Sequence, residues 1–442
     1  ITNKIPLFTC KITIWNITYE FILNNLFIIS FRTGKYRLIW NSNISIQLHL
    51  QYSQLPHDVN NFHAMVRVTP DSVIDEKLPP KSILYLLDVS GSCDIKSVKE
   101  SIVRSLPFLR PEDEVCVVSF STETCVDIPW TKCDMANKQR IIKDIVNIKT
   151  GGWSNISNGV FHAIERCMER DNAHIVVLSD GEPNSGVTNT DTLVKMVKNT
   201  IHGTNIRIHA FGYGAHETDL LRALADACEG TYNYIRTTEE LPVAYGSVLG
   251  ATMSTVFQGL TIHLKSDTIL FTDLDNKTIQ SYYVGDVYAD EKKDTLFKCH
   301  VIQDSEQHRI NYTVKGVNII TGEPLEYSAF QLIDRGDDNM QCEKVSNRLE
   351  ECRVVKELKK ARFADSAEKA MQILSQTSTP LKSLQEDIDL LIGSRDSGYS
   401  MKSLLNRIEQ EYSQQRDNRS DDLLSEYYTP FRMWTSREVS HN

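Results

Sequence analysis

The chain has 442 residues, 41% hydrophobic and 24% charged, with a formal net charge of -10. That length holds roughly two to four domains, each able to bury a core. The acidic balance excludes the phosphate backbone of nucleic acid as the main partner and suits a soluble protein or one that holds cations.

Ile1 stands where an initiator methionine would, so the sequence reads as a fragment. Residues 1–43 form an N-terminal segment of unclear status. ITIWNITYEFILNNLFIISF is apolar but interrupted by Asn16, Glu20, Asn24 and Asn25. It therefore matches neither the roughly 20-residue apolar run of a membrane span nor a signal peptide with a small-residue cleavage site. Residues 44–78 carry ISIQLHLQYS and FHAMVRVTP, whose period-two alternation predicts half-buried strands closed by VTPDS.

From 79 to 250 strand and helix patterns take turns. SILYLLD, EVCVVSFST, HIVVLSDG, RIHAFGYG and TYNYI read as strands. IKSVKESIVRSLPFL, MANKQRIIKDIVNI, NISNGVFHAIERCMER, TDTLVKMVKNTI and ETDLLRALADACEG read as helices, followed by a helical TTEELPVAYGSVLGATMS. Continuous apolar strands separated by helices mean a mainly parallel sheet covered on both faces. Across 251–338 the pattern becomes short strands at steady spacing, the mark of an antiparallel sandwich. The strands of 44–78 are predicted to join it. The fold class is thus α/β: a doubly wound, Rossmann-like sheet inserted beside an antiparallel β-sandwich. Residues 339–415 are helical, with Val354, Leu358, Ala361, Ala364, Ala367, Met371 and Leu374 on one face until TSTP breaks the helix. A second helix carries Leu384, Ile388 and Leu391, and a third Leu404, Leu405 and Ile408. Residues 416–442 are a polar and then aromatic tail, read as packing on its own domain in preference to serving as a docking peptide.

Ligands of open parallel sheets bind beyond the carboxyl ends of the strands, where strand order reverses. DVSGS, at residues 88–92, sits at such an end before a helix. TGGWSNISNG at 150–159 places Ser154 at the mouth of another helix, and LSDGEPNSG at 178–186 ends a strand on Asp180. Read alone, Asp88 or Asp94 is equally suited to capping the following helix.

Together these segments resemble the von Willebrand factor A domain and its metal-ion-dependent adhesion site. That family uses Asp-x-Ser-x-Ser on the first strand, a Thr on a distant loop and an Asp after the fourth strand. Asp88, Ser90 and Ser92, then Ser154 and Asp180, match in order, and IHAFGYGAHETDLLRALADACEGTYNYI resembles the family's last strand, helix and strand. The resemblance implies Mg²⁺ or Mn²⁺ held by the hydroxyls of Ser90, Ser92 and Ser154, with Asp88 and Asp180 accepting hydrogen bonds behind them. An ion with so little negative charge touching it seeks an Asp or Glu carboxylate on a partner protein. Two positions depart from the pattern: Ser154 replaces Thr, losing β-branched stiffness, and Trp153 stands where small residues are common, either narrowing the mouth or serving as a recognition surface. Cys93, where Met is frequent, reads as packing.

Other chemistry is thin. GxxxxGK[ST], HExxH and GxSxG are absent, so neither a phosphate-binding loop, a zincin helix nor a hydrolase elbow is expected. The ten cysteines form no CxxC pair, and several fall inside apolar runs. That leans towards the cytoplasm, although an even count keeps disulfides and an extracellular setting open. Glycosylation triplets occur at Asn16, Asn43, Asn155, Asn276, Asn311 and Asn418 and are discounted as chance.

The extension after residue 250 resembles, more weakly, a Vint-like module of proteins that couple the A domain to intein-like or ubiquitin-ligase parts, and more distantly inter-alpha-trypsin inhibitor heavy chains. Three functions follow: a non-enzymatic module that binds acidic residues through its metal, a metal-free scaffold subunit, or the substrate-recruiting part of a ubiquitin ligase whose catalytic module lies elsewhere.

Overall fold

The computed structural model describes residues 8–14, 17–23, 28–32, 35–39, 44–71, 78–91, 95–170, 172–179, 183–213, 219–235, 241–338, 340–362, 364, 367–379, 381–393 and 405. Two antiparallel hairpins lie in the segment to which the sequence assigned nothing. They are β1 (Phe8–Ile14) with β2 (Ile17–Leu23), and β3 (Ile28–Arg32) with β4 (Lys35–Ile39).

β5 (Ile44–Leu50) and β6 (Asn61–Pro70) follow, and the chain then enters the α/β sheet. Its elements are β7 (Ser82–Asp88), α1 (Ile95–Ser105), β8 (Glu114–Phe120), β9 (Thr124–Lys132), α2 (Met135–Asn147) and α3 (Ile156–Cys167). They continue with β10 (Ala173–Ser179), α4 (Thr190–Ile201), β11 (Arg207–Tyr213), α5 (Asp219–Ala227), β12 (Tyr232–Ile235) and α6 (Leu241–Met253). Strand order is β12-β11-β10-β7-β8-β9, parallel apart from the antiparallel edge strand β9.

Alternation along β7 splits its side chains between two cores. Ile83, Tyr85 and Leu87 pack with residues of α1, α2 and α6, while Leu84 and Leu86 pack with residues of α3, α4 and α5. A strand buried on both sides must be apolar throughout, which is why its text shows no alternation. Order reverses between β7 and β10, because the chain builds outwards on one side through β8 and then on the other through β10. The carboxyl ends of those two strands therefore flank the switch point.

β9 had no strand signature. Its TCVDIPWTK buries only Ile128 and Thr131, and Pro129 fits an edge, where one side of the ladder is left open.

The sandwich is built from β13 (Thr255–Lys265), β14 (Ile269–Thr272), β15 (Ser281–Tyr288), β16 (Lys293–Val301), β17 (Gln307–Asn318) and β18 (Pro324–Asp334). One sheet runs β15-β13-β17-β18 and the other β14-β16-β6-β5. Between them Phe62, Ala64, Val66 and Val68 of β6 meet Phe257, Ile262, Ile310 and Val314.

The C-terminal helices correct one expectation. The face running from Val354 to Leu374 belongs to two helices, α7 (Glu343–Arg362) and α8 (Ala367–Ser375), followed by α9 (Lys382–Gly393). α8 packs against α7, so Val354, Leu358, Ala370 and Leu374 share one core with Leu384 and Ile388. Of the predicted third helix only Leu405 is described, buried in the same core. Among the described residues no helix is long and apolar enough to cross a membrane.

Candidate metal site

Asp88 closes β7 and is fully buried. Its Oδ1 accepts from the Ser90 backbone N–H at 2.9 Å. Its Oδ2 accepts from the Ser154 hydroxyl at 3.0 Å and the Ser179 hydroxyl at 2.7 Å. Ser90, Ser154 and Ser179 are all buried. The carboxylate thus gathers donors from three segments, more than capping α1 would need.

Ser154 is positioned from both sides. Its N–H donates to Asn184 Oδ1 at 2.7 Å, and its carbonyl accepts from Asn184 N at 3.0 Å and Ser185 N at 3.2 Å. Gly151 N donates to Val89 O at 2.8 Å, tying the loop to the end of β7. Asn155 caps α3 through Asn158 N, so this oxygen of a discounted glycosylation triplet is already engaged. The loop before α4 joins the same lattice, since Val187 N donates to Ser157 Oγ at 2.9 Å. Gly186 there has φ 76°, and a Cβ would fall inside contact distance of Asn155 Oδ1 and Ser157 Oγ. Gly186→Ala is expected to cost about 1–2 kcal/mol of stability, from left-handed backbone strain plus displacement of that cap. Equilibrium urea denaturation reads it, and a cost below a few tenths would refute the packing.

Trp153 stands at the rim, 67% exposed, with its backbone N–H donating to Thr122 Oγ1 at 3.0 Å. The structure thus brings Asp88, Ser90 and Ser154 together. Ser92 and Asp180 lie outside the described residues, as does Cys93. Sequence reasoning missed Ser179 and Asn184. Ser179 directly precedes Asp180, but a serine ending an apolar strand carries no signal of its own, and Asn184 reads as turn chemistry.

The donor set suits a hard cation. The hydroxyls of Ser154 and Ser179 donate to Asp88, and a hydroxyl oxygen that has donated its proton can still act as an acceptor or ligand. Among the described residues no group of three His, Cys, Asp or Glu side chains could hold a metal. Burial pushes the thiols of Cys116, Cys133 and Cys228 up to about 12.

Residues 82–243 match the family model of the von Willebrand factor type A domain, commonly a protein-interaction module. The chain is 29% identical over 190 residues to human (Homo sapiens) inter-alpha-trypsin inhibitor heavy chain H2, covering 38% of this chain and 20% of that one. It is 27% identical over 151 residues to heavy chain H3 of Rattus norvegicus, covering 30% of this chain and 17% of that one. The match therefore spans a fifth or less of those two relatives' own length. In fold, the chain is similar to a von Willebrand factor type A structure from Catenulispora acidiphila, with a TM-score of 0.65 at 13% identity over 88% of this chain and 99% of that one. It is also similar to the ArnB paralog VWA2 of Sulfolobus acidocaldarius, with a TM-score of 0.57 at 15% identity over 84% and 98%. None of these likenesses supports the cytoplasmic expectation drawn from the cysteines.

Proposed function

We propose that this chain is a non-enzymatic binding module that holds Mg²⁺ or Mn²⁺ at the ends of β7 and β10 and recognises an acidic residue of a partner protein. The observation that carries the reading is the bond from Ser154 to the buried Asp88 carboxylate, across 66 residues of sequence. A carboxylate that accepts from hydroxyls turns their lone pairs towards one centre. Ser90, Ser92 and Ser154 would hold the ion, and Asp88 and Asp180 would orient the hydroxyls and bound water. The ion supplies an electrophilic position that a partner carboxylate completes. Exposed Trp153 beside that mouth offers the partner an apolar contact.

Isothermal titration of Mg²⁺ into the wild type and Ser154→Ala tests the reading. Loss of one ligand and of its bond to Asp88 is expected to weaken Mg²⁺ affinity on the order of 10–100-fold. Equal heats for the two proteins, or none for the wild type, would sink it. A pulldown with and without EDTA then identifies the partner.

A metal-free scaffold is the second reading. It is favoured by Asp88 finding hydroxyl donors within the fold itself, so the site can close without an ion. The Vint-like reading of the sandwich and helices, and with it the recruiting arm of a ubiquitin ligase, requires a catalytic module outside these residues.

A further inference from the structure

Two histidines with no part in that site sit at the opposite end of the sheet. His174 near the start of β10 and His209 in β11 are both buried, their rings stacked with centroids 5.4 Å apart. His174 Nδ1 lies 3.2 Å from His209 Nε2, and His209 Nδ1 lies 3.0 Å from Thr231 Oγ1.

The other nitrogen, His174 Nε2, is buried without a hydrogen-bond partner. An N–H there would be buried and unsatisfied, so the bare lone pair belongs on Nε2 and the proton on Nδ1. The relay then runs one way: His174 Nδ1–H donates to His209 Nε2, and His209 Nδ1–H donates to Thr231. His174 borders a void of about 10 Å³ lined also by Ile83, Val176, Tyr245, Val248, Leu249 and Thr252, at the lower limit for one water. Tyr245, Val248 and Leu249 belong to α6, so protonation would place a proton and a charge against the seat of that helix.

Basic groups surround the pair. Lys81, just before β7, and Arg207 of β11 both disfavour a charge on His174, as does His209. From α6 the titratable neighbour is Tyr245, whose hydroxyl donates to Tyr85 and is kept neutral by burial. α6 matters because it packs on α1, the helix after DVSGS, and leads through Ser254 into β13 of the sandwich.

We propose that the His174–His209 pair is an acid-sensitive latch that seats α6 on the parallel sheet at neutral pH and loosens it in acid. The sign follows from burial, which holds the His174 pKa well below its ordinary 6.5, with His209, Lys81 and Arg207 adding to the effect. A histidine depressed in this way contributes stability above about 6.5 and loses it as pH falls below that value. One extra proton bound on opening raises the opening constant up to tenfold for each pH unit in that window.

Hydrogen exchange of the α6 amides in the full chain, corrected for intrinsic rate, tests this at pH 7.5 and 5.0 against His174→Leu. Burial also lowers His49, His63 and His308, but those contribute equally to both proteins. The wild type is expected to lose at least tenfold more α6 protection on acidification than the variant. Should the variant not fold, nitrogen NMR of the wild-type imidazoles decides, with His174 expected neutral and protonated on Nδ1 at pH 6. Equal acid sensitivity in the two proteins, or a His174 ring charged at pH 6.5, would overturn the latch.

Discussion

Asp88→Ala is expected to lose about 3 kcal/mol of stability even in EDTA, and to lose all stabilisation by Mg²⁺. The first loss is structural. Removing the carboxylate leaves the Ser90 N–H and the Ser154 and Ser179 hydroxyls without their acceptor in a buried site, and each orphaned buried group costs about 1–3 kcal/mol before rearrangement. The second loss belongs to the ion. A ligand that binds only the folded state at 100 times its dissociation constant adds about 2.7 kcal/mol, an increment the wild type should show and the variant should not. Asp88→Asn separates the two. Its carbonyl still accepts from Ser90 N and the serine hydroxyls can turn to accept from its amide, so most stability in EDTA should survive while Mg²⁺ binding fails. Urea denaturation of the three proteins, each with Mg²⁺ or EDTA, reads all six states. A wild type indifferent to Mg²⁺ removes the metal reading alone, whereas an unchanged Asp88→Ala in EDTA removes the hydrogen-bonded site itself.

Much of this was legible because a parallel sheet writes itself plainly. β7 from Ile83 to Leu87 and β10 from Ile175 to Leu178 run without a charged residue, since both faces are buried, and the break to Asp88 and Ser90 marks where the apolar strand gives way to polar chemistry. β9 was invisible for the converse reason, an edge strand held by one neighbour with few buried side chains. The helical face from Val354 to Leu374 has a steady period although two helices share it, because periodicity records which residues face a core and says nothing of where the chain turns. At the site, Asp88 and Ser154 announced themselves by residue type and spacing. Ser179 and Asn184 work by position, one a hydroxyl at a strand end and the other an asparagine whose side-chain oxygen accepts from Ser154 N while its backbone N–H donates to Ser154 O, and single-sequence text does not weight them.

The junction between the sheet and the sandwich was not legible at all, and it carries the second large expectation. Arg207 at the start of β11 reaches across to β15, where Nε and Nη2 each lie 3.1 Å from an Asp286 oxygen, while Nη2 also lies 3.0 Å from Glu229. Tyr283 donates to Glu229 at 2.6 Å, and Gly259 N donates to Asp286 at 3.0 Å, so β13, β15 and the turn before β12 meet on one guanidinium. Burial opposes the Arg207 charge, yet Asp286 and then Glu229 outweigh it and leave the pKa raised. The side chains of Arg207 and Asp286 are only 7% and 8% exposed. Arg207→Ala would therefore strand a buried carboxylate, at a cost of about 3–5 kcal/mol. Arg207→Lys should fall between, since an ammonium cannot serve both Asp286 oxygens in the same flat geometry. The decisive comparison is Arg207→Ala with Asp286→Ala added: if the loss comes from an abandoned charge, the second substitution recovers part of it. A cost below about 1 kcal/mol for Arg207→Ala would mean that water reaches Asp286, and that the sheet and the sandwich are held together by their apolar contacts alone.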